Sequence, residues 1–245
     1  MFAMDVRGRQ KAAGEGAAGA VTAMSPRGLV DLRGQDGGPV LVSYPAGAVV
    51  VVSGLPGSGK STLLRRWSGA APVVDPRVSH VACEAVMPAW LPYAVYRPWA
   101  RLRHFRWLCA EVRSGGPLLV HDCGSRSWMR RWLSWTAGRG GRELHVVLLD
   151  VGAAEALAGQ ESRARRAPRR VFARHRQGLG RLLETLRLHG STAVRESVSV
   201  VLLDRVSRER LTAVEFTPPP TPDPTVGPSP CPAAERAETE PRLPT

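Results

Sequence analysis

A glycine-rich segment carries the most specific chemistry in this sequence. It follows an apolar, β-branched run at residues 49–52 and matches the pattern G-x-x-x-x-G-K-[S/T], whose backbone N–H groups surround an anion. The lysine of such a segment reaches the β- and γ-phosphates of a nucleotide, and the next hydroxyl is a ligand for Mg²⁺. The sequence therefore predicts binding of ATP and Mg²⁺, with Lys60 catalytic and Ser61 on the metal. The predicted binding residues are Gly54, Leu55, Pro56, Gly57, Ser58, Gly59, Lys60, Ser61 and Thr62.

Two aspartates that follow other apolar segments complete the predicted site. Asp122 comes directly after residues 118–121, and a carboxylate at this position orients Mg²⁺ or its water. Asp75 follows residues 72–74, and it is predicted to accept the proton of an attacking hydroxyl. The alternative for Asp75 is a turn formed by the Asp-Pro dipeptide. Arg77, two positions further on, is a candidate to hold an anionic acceptor.

An arginine-rich segment at residues 160–170 is a candidate lid. Arg163 and Arg166 are predicted to close over the transferring phosphoryl group and to stabilise its charge. The alternative is that these arginines only form a solvated face of the protein.

A helix predicted over residues 94–113 has two interpretations. Its pattern favours burial of Leu102, Phe105, Leu108 and Val112, with the arginines in solvent. Because Arg97, Arg101, Arg103 and Arg106 alternate with Trp99, Phe105 and Trp107, binding of a nucleic acid strand is the alternative.

The formal net charge of +13 comes from 34 basic residues, of which only Lys11 and Lys60 are lysines. Alanine, glycine and proline are abundant as well, so the excess of arginine is typical of a compositional bias. The charge alone therefore does not indicate a nucleic acid partner, although such a partner stays possible.

Strands that alternate with helices predict an α/β fold with a mainly parallel sheet covered on both faces. Predicted strands lie at 40–44, 48–53, 72–74, 117–121, 144–149 and 197–203, the first of them at a sheet edge. Predicted helices lie at 61–67, 94–113, 128–136 and 171–188. We expect a flexible tail over residues 1–38, one domain over 39–216 and a Pro-rich disordered tail over 217–245.

Scattered cysteines and the lack of long apolar runs indicate a cytoplasmic protein without a membrane span or a signal peptide. Hydrophobic residues make up 43% of the chain, which excludes a wholly disordered protein.

The order of these features resembles the P-loop NTPases of AAA type, in particular small kinases of the polynucleotide-kinase and zeta-toxin kind. The resemblance rests on the glycine-rich segment, Asp75, Asp122, Arg126, the strand that ends at Asp150, and the arginine-rich segment. It implies a three-layer P-loop fold and ATP-dependent phosphoryl transfer to a hydroxyl, with Asp75 as the base and lid arginines at the γ-phosphate. The acceptor would be a small molecule or a nucleic acid end. A regulatory ATPase without an acceptor, and a nucleic acid-binding protein that uses ATP, are the alternatives.

Overall fold

The computed structural model describes residues 23–35, 37–122, 127–162 and 167–218. The strands are β1 (Ala23–Met24), β2 (Gly28–Asp31), β3 (Leu41–Pro45), β4 (Val49–Gly54), β5 (Val73–Val74), β6 (Leu118–His121), β7 (Leu144–Leu149), β8 (Ser199–Leu203) and β9 (Ala213–Thr217). The helices are α1 (Lys60–Trp67), α2 (Pro76–Glu84), α3 (Tyr93–Arg113), α4 (Ser127–Gly138), α5 (Ala153–Glu161), α6 (Arg169–His189) and α7 (Arg205–Arg210), with a 3₁₀ helix at Gly190–Val194.

The central sheet has six strands in the order β2-β8-β7-β4-β6-β5, and every pairing is parallel. Strands β4, β7 and β8 are buried along their whole length, as expected for a parallel sheet that is covered on both faces. Successive residues of β4 face opposite layers. Val50 and Val52 pack with α1 in one core, whereas Val49 and Val51 pack with α3 and α4 in another. The predicted three-layer α/β fold is confirmed.

A second, three-stranded parallel sheet has the order β1-β3-β9. Its residues Val42, Tyr44 and Val214 share the first core with α1. The prediction that residues 40–44 form an edge strand was wrong, because β3 lies in the middle of this sheet and pairs on both sides.

The prediction of a flexible tail over residues 1–38 was wrong for the described residues 23–35. Strand β2 pairs with β8, so that these residues form the edge of the central sheet. Arg33 then donates a hydrogen bond of 2.6 Å to Asp150 at the end of β7, and the Gly34 N–H donates one of 2.8 Å to Asp204 at the end of β8. The domain therefore begins before residue 39. Residues 1–22 and 219–245 lie outside the described residues.

None of the helices in the described ranges is long and apolar enough to cross a membrane.

The contribution of the N-terminal segment to the fold can be measured through Leu32, which is 7% exposed and belongs to the first core. We expect Leu32→Ala to lower the free energy of unfolding by about 2–4 kcal/mol, because it removes a buried side chain and leaves a cavity. Chemical denaturation measures this change. Leu188→Ala, at a side chain that is 67% exposed, is the matched control and should change stability little. Equal effects of the two substitutions would contradict a structural role of this segment.

Candidate functional site

The glycine-rich segment forms a loop between β4 and α1. Gly54, Gly57 and Gly59 have φ angles of 152°, 93° and 92°, which side chain-bearing residues rarely adopt. Gly59 caps α1, and its carbonyl accepts hydrogen bonds from the N–H groups of Thr62 and Leu63. The positive end of the α1 dipole is therefore directed at the loop, as an anion site at a helix N-terminus requires.

The loop packs tightly against α5 and the end of β7. A Cβ atom at Gly57 would lie 1.9 Å from the carbonyl oxygen of Ala156, and one at Gly54 would lie 2.8 Å from that of Leu149. Both positions need glycine for space as well as for their backbone angles. The curvature of the loop is thus fixed by its neighbours before any ligand binds.

Lys60 is the first residue of α1 and is 4% exposed. Its Nζ donates hydrogen bonds of 2.9 Å and 2.8 Å to the carbonyl oxygens of Gly54 and Leu55, which holds the ammonium group inside the loop. The hydroxyl of Ser58 is buried nearby without a hydrogen-bond partner among the described residues. A loop with an internal ammonium group, a helix N-terminus and an orphaned hydroxyl fits a bound polyphosphate.

Two side chains from other elements hold the loop from outside. Arg208 of α7 donates a 2.7 Å hydrogen bond to the carbonyl of Ser58, and it forms ion pairs with Glu209 at 3.1 Å and Glu155 at 3.9 Å. Gln160 of α5 donates to the carbonyl of Pro56 at 3.0 Å. Arg208 was not predicted as part of the site, and Gln160 was included only as the first residue of the candidate lid segment.

Gln160 also connects the loop to Ala167, which lies further along the candidate lid segment. Its Oε1 accepts a hydrogen bond of 2.7 Å from the N–H of Ala167. The predicted lid residues Arg163 and Arg166 lie outside the described residues, as does Arg126, so their roles stay predictions. The chain immediately after this segment is nevertheless tied to the loop through one buried amide side chain.

The sheet register places Asp122 beside the loop. Val52 and His121 are paired residues on β4 and β6, and the Asp122 N–H donates to the carbonyl of Val52 at 3.0 Å. Asp122 thus follows β6 at the level where β4 enters the loop. Its carboxylate and the hydroxyl of Ser61 are oxygen ligands of the kind that Mg²⁺ prefers. The described residues contain no group of three or more His, Cys, Asp or Glu side chains that could hold a metal ion.

Asp75 has a structural role in addition to its predicted chemical one. It is the N-cap of α2, where its Oδ1 accepts a 2.9 Å hydrogen bond from the Arg77 N–H and Pro76 is the first helical residue. The same oxygen lies 3.3 Å from Nδ1 of His121. Burial opposes ionisation of this carboxyl group, but the hydrogen bond and charge of His121, with the N–H of Arg77, outweigh burial and lower the pKa of Asp75.

Asp75, His121 and Asp122 form part of the wall of a 720 Å³ cavity. The volume is in the range of small-molecule sites. His104 of α3 lines the same cavity. Burial lowers the pKa of His104, although the negative charges of Asp75 and Asp122 oppose this shift. A second depression of 400 Å³ is lined by both Ser61 and Asp75.

The architecture and the loop lead to the comparison with known families. The model of the AAA domain family matches residues 49–182, which is more than half of the chain and runs from β4 into α6. The chain belongs to the AAA domain family. This AAA domain match includes the loop, Asp75, Asp122 and the candidate lid.

Solved structures with similarity to this AAA domain protein have low sequence identity. One is the PezAT toxin-antitoxin system of Streptococcus pneumoniae, with 11% identity, a TM-score of 0.48 and coverage of 67% of this chain and 70% of that one. A gluconokinase from Sinorhizobium meliloti has 18% identity, a TM-score of 0.41 and coverage of 69% and 91%. The APS kinase CysC of Mycobacterium tuberculosis has 21% identity, a TM-score of 0.35 and coverage of 55% and 76%. The search of curated proteins gives no match.

The close approach of Gly57 to α5 gives a direct test of the loop. We expect Gly57→Ala to weaken ATP binding roughly tenfold or more and to destabilise the fold by about 1–3 kcal/mol, because a φ of 93° strains an alanine and its methyl group would displace the loop from Ala156. Equilibrium ATP titration and thermal unfolding measure the two effects.

Gly69→Ala is the control for this substitution, because a Cβ atom there would meet nothing within 4 Å. It should leave both quantities nearly unchanged. Normal ATP affinity of the Gly57→Ala protein would show that ATP does not use this loop.

Proposed function

We propose that this protein is an ATP-dependent phosphotransferase, which moves the γ-phosphate of MgATP to a hydroxyl group of an acceptor bound in the 720 Å³ cavity. The observation that carries the proposal is the shared position of Asp75. This carboxylate lines the cavity and also lines the depression that reaches Ser61. A group that borders both spaces is suited to act where acceptor and nucleotide meet.

The proposed transfer assigns a separate task to each residue. The acceptor oxygen forms a bond to the γ-phosphorus while the bond from phosphorus to the β–γ bridging oxygen breaks, and ADP leaves with that electron pair. Asp75 accepts the proton of the acceptor hydroxyl. Lys60, inside the loop, stabilises the charge on the β- and γ-phosphates.

Bound Mg²⁺ would neutralise phosphate charge during the transfer. Ser61 and Asp122 are the residues that would hold it, since Ser61 is the second residue of α1 beside the loop and Asp122 follows the strand paired with β4.

The electrostatics of Asp75 determine its protonation state. Its lowered pKa keeps the carboxyl group ionised at neutral pH, so that it is ready to accept a hydrogen bond from a hydroxyl. His121 contributes to this shift and acts as a positioning residue for the carboxylate.

The acceptor is proposed to be a small molecule or a nucleic acid end.

The free thiols of Cys83 and Cys109 support a reducing compartment such as the cytoplasm.

Asp75→Asn separates the chemical role of this residue from its role in the helix. Asparagine is as good an N-cap as aspartate, so α2 should keep its start and ATP affinity should stay near that of the unchanged protein. We expect kcat for phosphoryl transfer to fall roughly 10²-fold or more, because the amide cannot accept the proton. Steady-state kinetics at saturating ATP measure this loss.

Asp204→Asn is the matched control. Asp204 caps α7 through the Ser207 N–H at 2.8 Å and follows a strand of the same sheet, but it is not among the residues that line either space. Its replacement should leave transfer intact. If Asp75→Asn and Asp204→Asn had the same kcat, Asp75 would not be the base.

Product analysis tests the reaction class. With γ-labelled ATP and a panel of sugars, nucleosides, antibiotics and nucleic acid ends, we expect label in one class of acceptor, and Lys60→Ala should abolish this labelling. Release of labelled phosphate alone, again dependent on Lys60, would instead identify a regulatory ATPase.

A further inference from the structure

Two helices, α3 and α6, each contribute one face to the cavity lining. On α3, the lining residues are spaced as one helical face and comprise Arg97, Arg101, His104 and Leu108. On α6, they are likewise on one face and comprise Val171, Arg174, His175, Gly178 and Arg181. Arg77 of α2 adds a further guanidinium group.

The cavity lining is therefore strongly cationic. Five arginines from three helices share a space with two carboxylates, Asp75 and Asp122. Within the described parts of the chain, the guanidinium groups of Arg97, Arg101, Arg174 and Arg181 form no ion pair with a carboxylate. These four guanidinium groups are therefore available to an anion that enters the cavity.

The nucleotide does not account for this charge. The phosphate loop has its own cation in Lys60 and its own helix N-terminus, and none of residues 54–62 is among the described residues that line the cavity. The arginines of α3 and α6 therefore face the space assigned to the acceptor. Guanidinium groups bind phosphate through paired hydrogen bonds, which makes a phosphate ester the anion they match best.

We propose that the acceptor carries a phosphate group in addition to the hydroxyl that is phosphorylated. Arg101 of α3 and Arg174 of α6 bind this phosphate group. This inference rests on the proposed function for the identity of the reaction, but the anion site can be tested without any transfer. Leu108, Val120 and Met129 in the same lining would contact the uncharged part of the molecule.

The test measures binding of inorganic phosphate to the full chain saturated with ADP and Mg²⁺, by isothermal titration calorimetry. We expect one saturable site whose affinity falls roughly tenfold or more in Arg101→Gln and in Arg174→Gln, because each loses a charge-assisted hydrogen bond. Arg106→Gln and Arg187→Gln are the matched controls, since these exposed arginines lie on the same two helices outside the cavity lining. The phosphate affinity of these two control variants should equal that of the unchanged protein.

Two results would overturn the proposal. One is the absence of saturable phosphate binding to the ADP-saturated protein, and the other is equal affinity of the cavity variants and their controls. Because all four arginines are exposed, the thermal unfolding midpoints should agree among the variants, which separates loss of binding from loss of fold.

Competition experiments identify the source of the phosphate. Glucose 6-phosphate and a dinucleotide with a 3′-phosphate are titrated against inorganic phosphate, each beside its unphosphorylated form. We expect a phosphorylated member to compete at least tenfold better than its neutral partner, and the stronger competitor separates a sugar phosphate from a nucleic acid end. Equal competition by the neutral forms would contradict the proposal.

The anion site and the proposed transfer can fail independently. Lys60→Ala should remove ATP binding but retain the phosphate site, since Lys60 is not in the cavity lining. If ATP affinity is unaffected by Lys60→Ala, the proposed function fails, whatever the arginine variants show. If the arginine variants bind phosphate as their controls do, while ATP binding still depends on Lys60, the phosphate-bearing acceptor fails and the proposed function stands.

Discussion

The parallel pairing of β4, β5 and β6 brings three strand ends to one edge of the sheet, and the whole site depends on this register. Val52 is paired with His121, and Val74 with Val120, so that the loop, Asp122 and Asp75 begin at one level. A shift by one residue would turn each side chain to the opposite face of the sheet. Strand β5 has only two residues and fixes the position of Asp75 only in part. The role of Asp75 as N-cap of α2 and its contact with His121 restrain it further.

Local sequence patterns were sufficient for the elements that form the centre of the fold. The apolar runs of β4, β6 and β7 and the periodicity of α6 predicted those elements closely, because each is buried along a strand or on one regular face. Strand β2 was missed because its four residues gain burial only by pairing with β8, which is distant in sequence. Helix α2 was missed for another reason. Asp75 was considered as a base or as part of an Asp-Pro turn, although an N-cap aspartate followed by proline also begins a helix.

The residues of the candidate site also differ in how far the sequence predicts them. A contiguous motif encodes the loop, so its place between a strand and a helix could be predicted from the sequence. The contacts of Gln160 and Arg208 with loop carbonyls arise from tertiary packing, and no local sequence pattern predicts them. On α3 the predicted buried face was partly wrong, because Leu102 is 51% exposed whereas Ala100 and Leu108 are buried. Arg97 and Arg101 of the same helix are exposed, as predicted, but they also line the cavity beside Asp75 and Asp122.

The two cations that contact the loop show how space selects the residue type in a chain of 32 arginines and two lysines. Arg208 approaches from outside, where its planar group reaches the carbonyl of Ser58 and pairs with Glu209. Lys60 lies inside, where one nitrogen donates to two carbonyls within a curve that admits no Cβ atom at Gly57. A guanidinium group is wider and directs its hydrogens in a fixed plane, so it does not replace a compact ammonium group there. Arg208 therefore contacts the loop from its outer surface, whereas Lys60 occupies the place where the backbone closes around the cation.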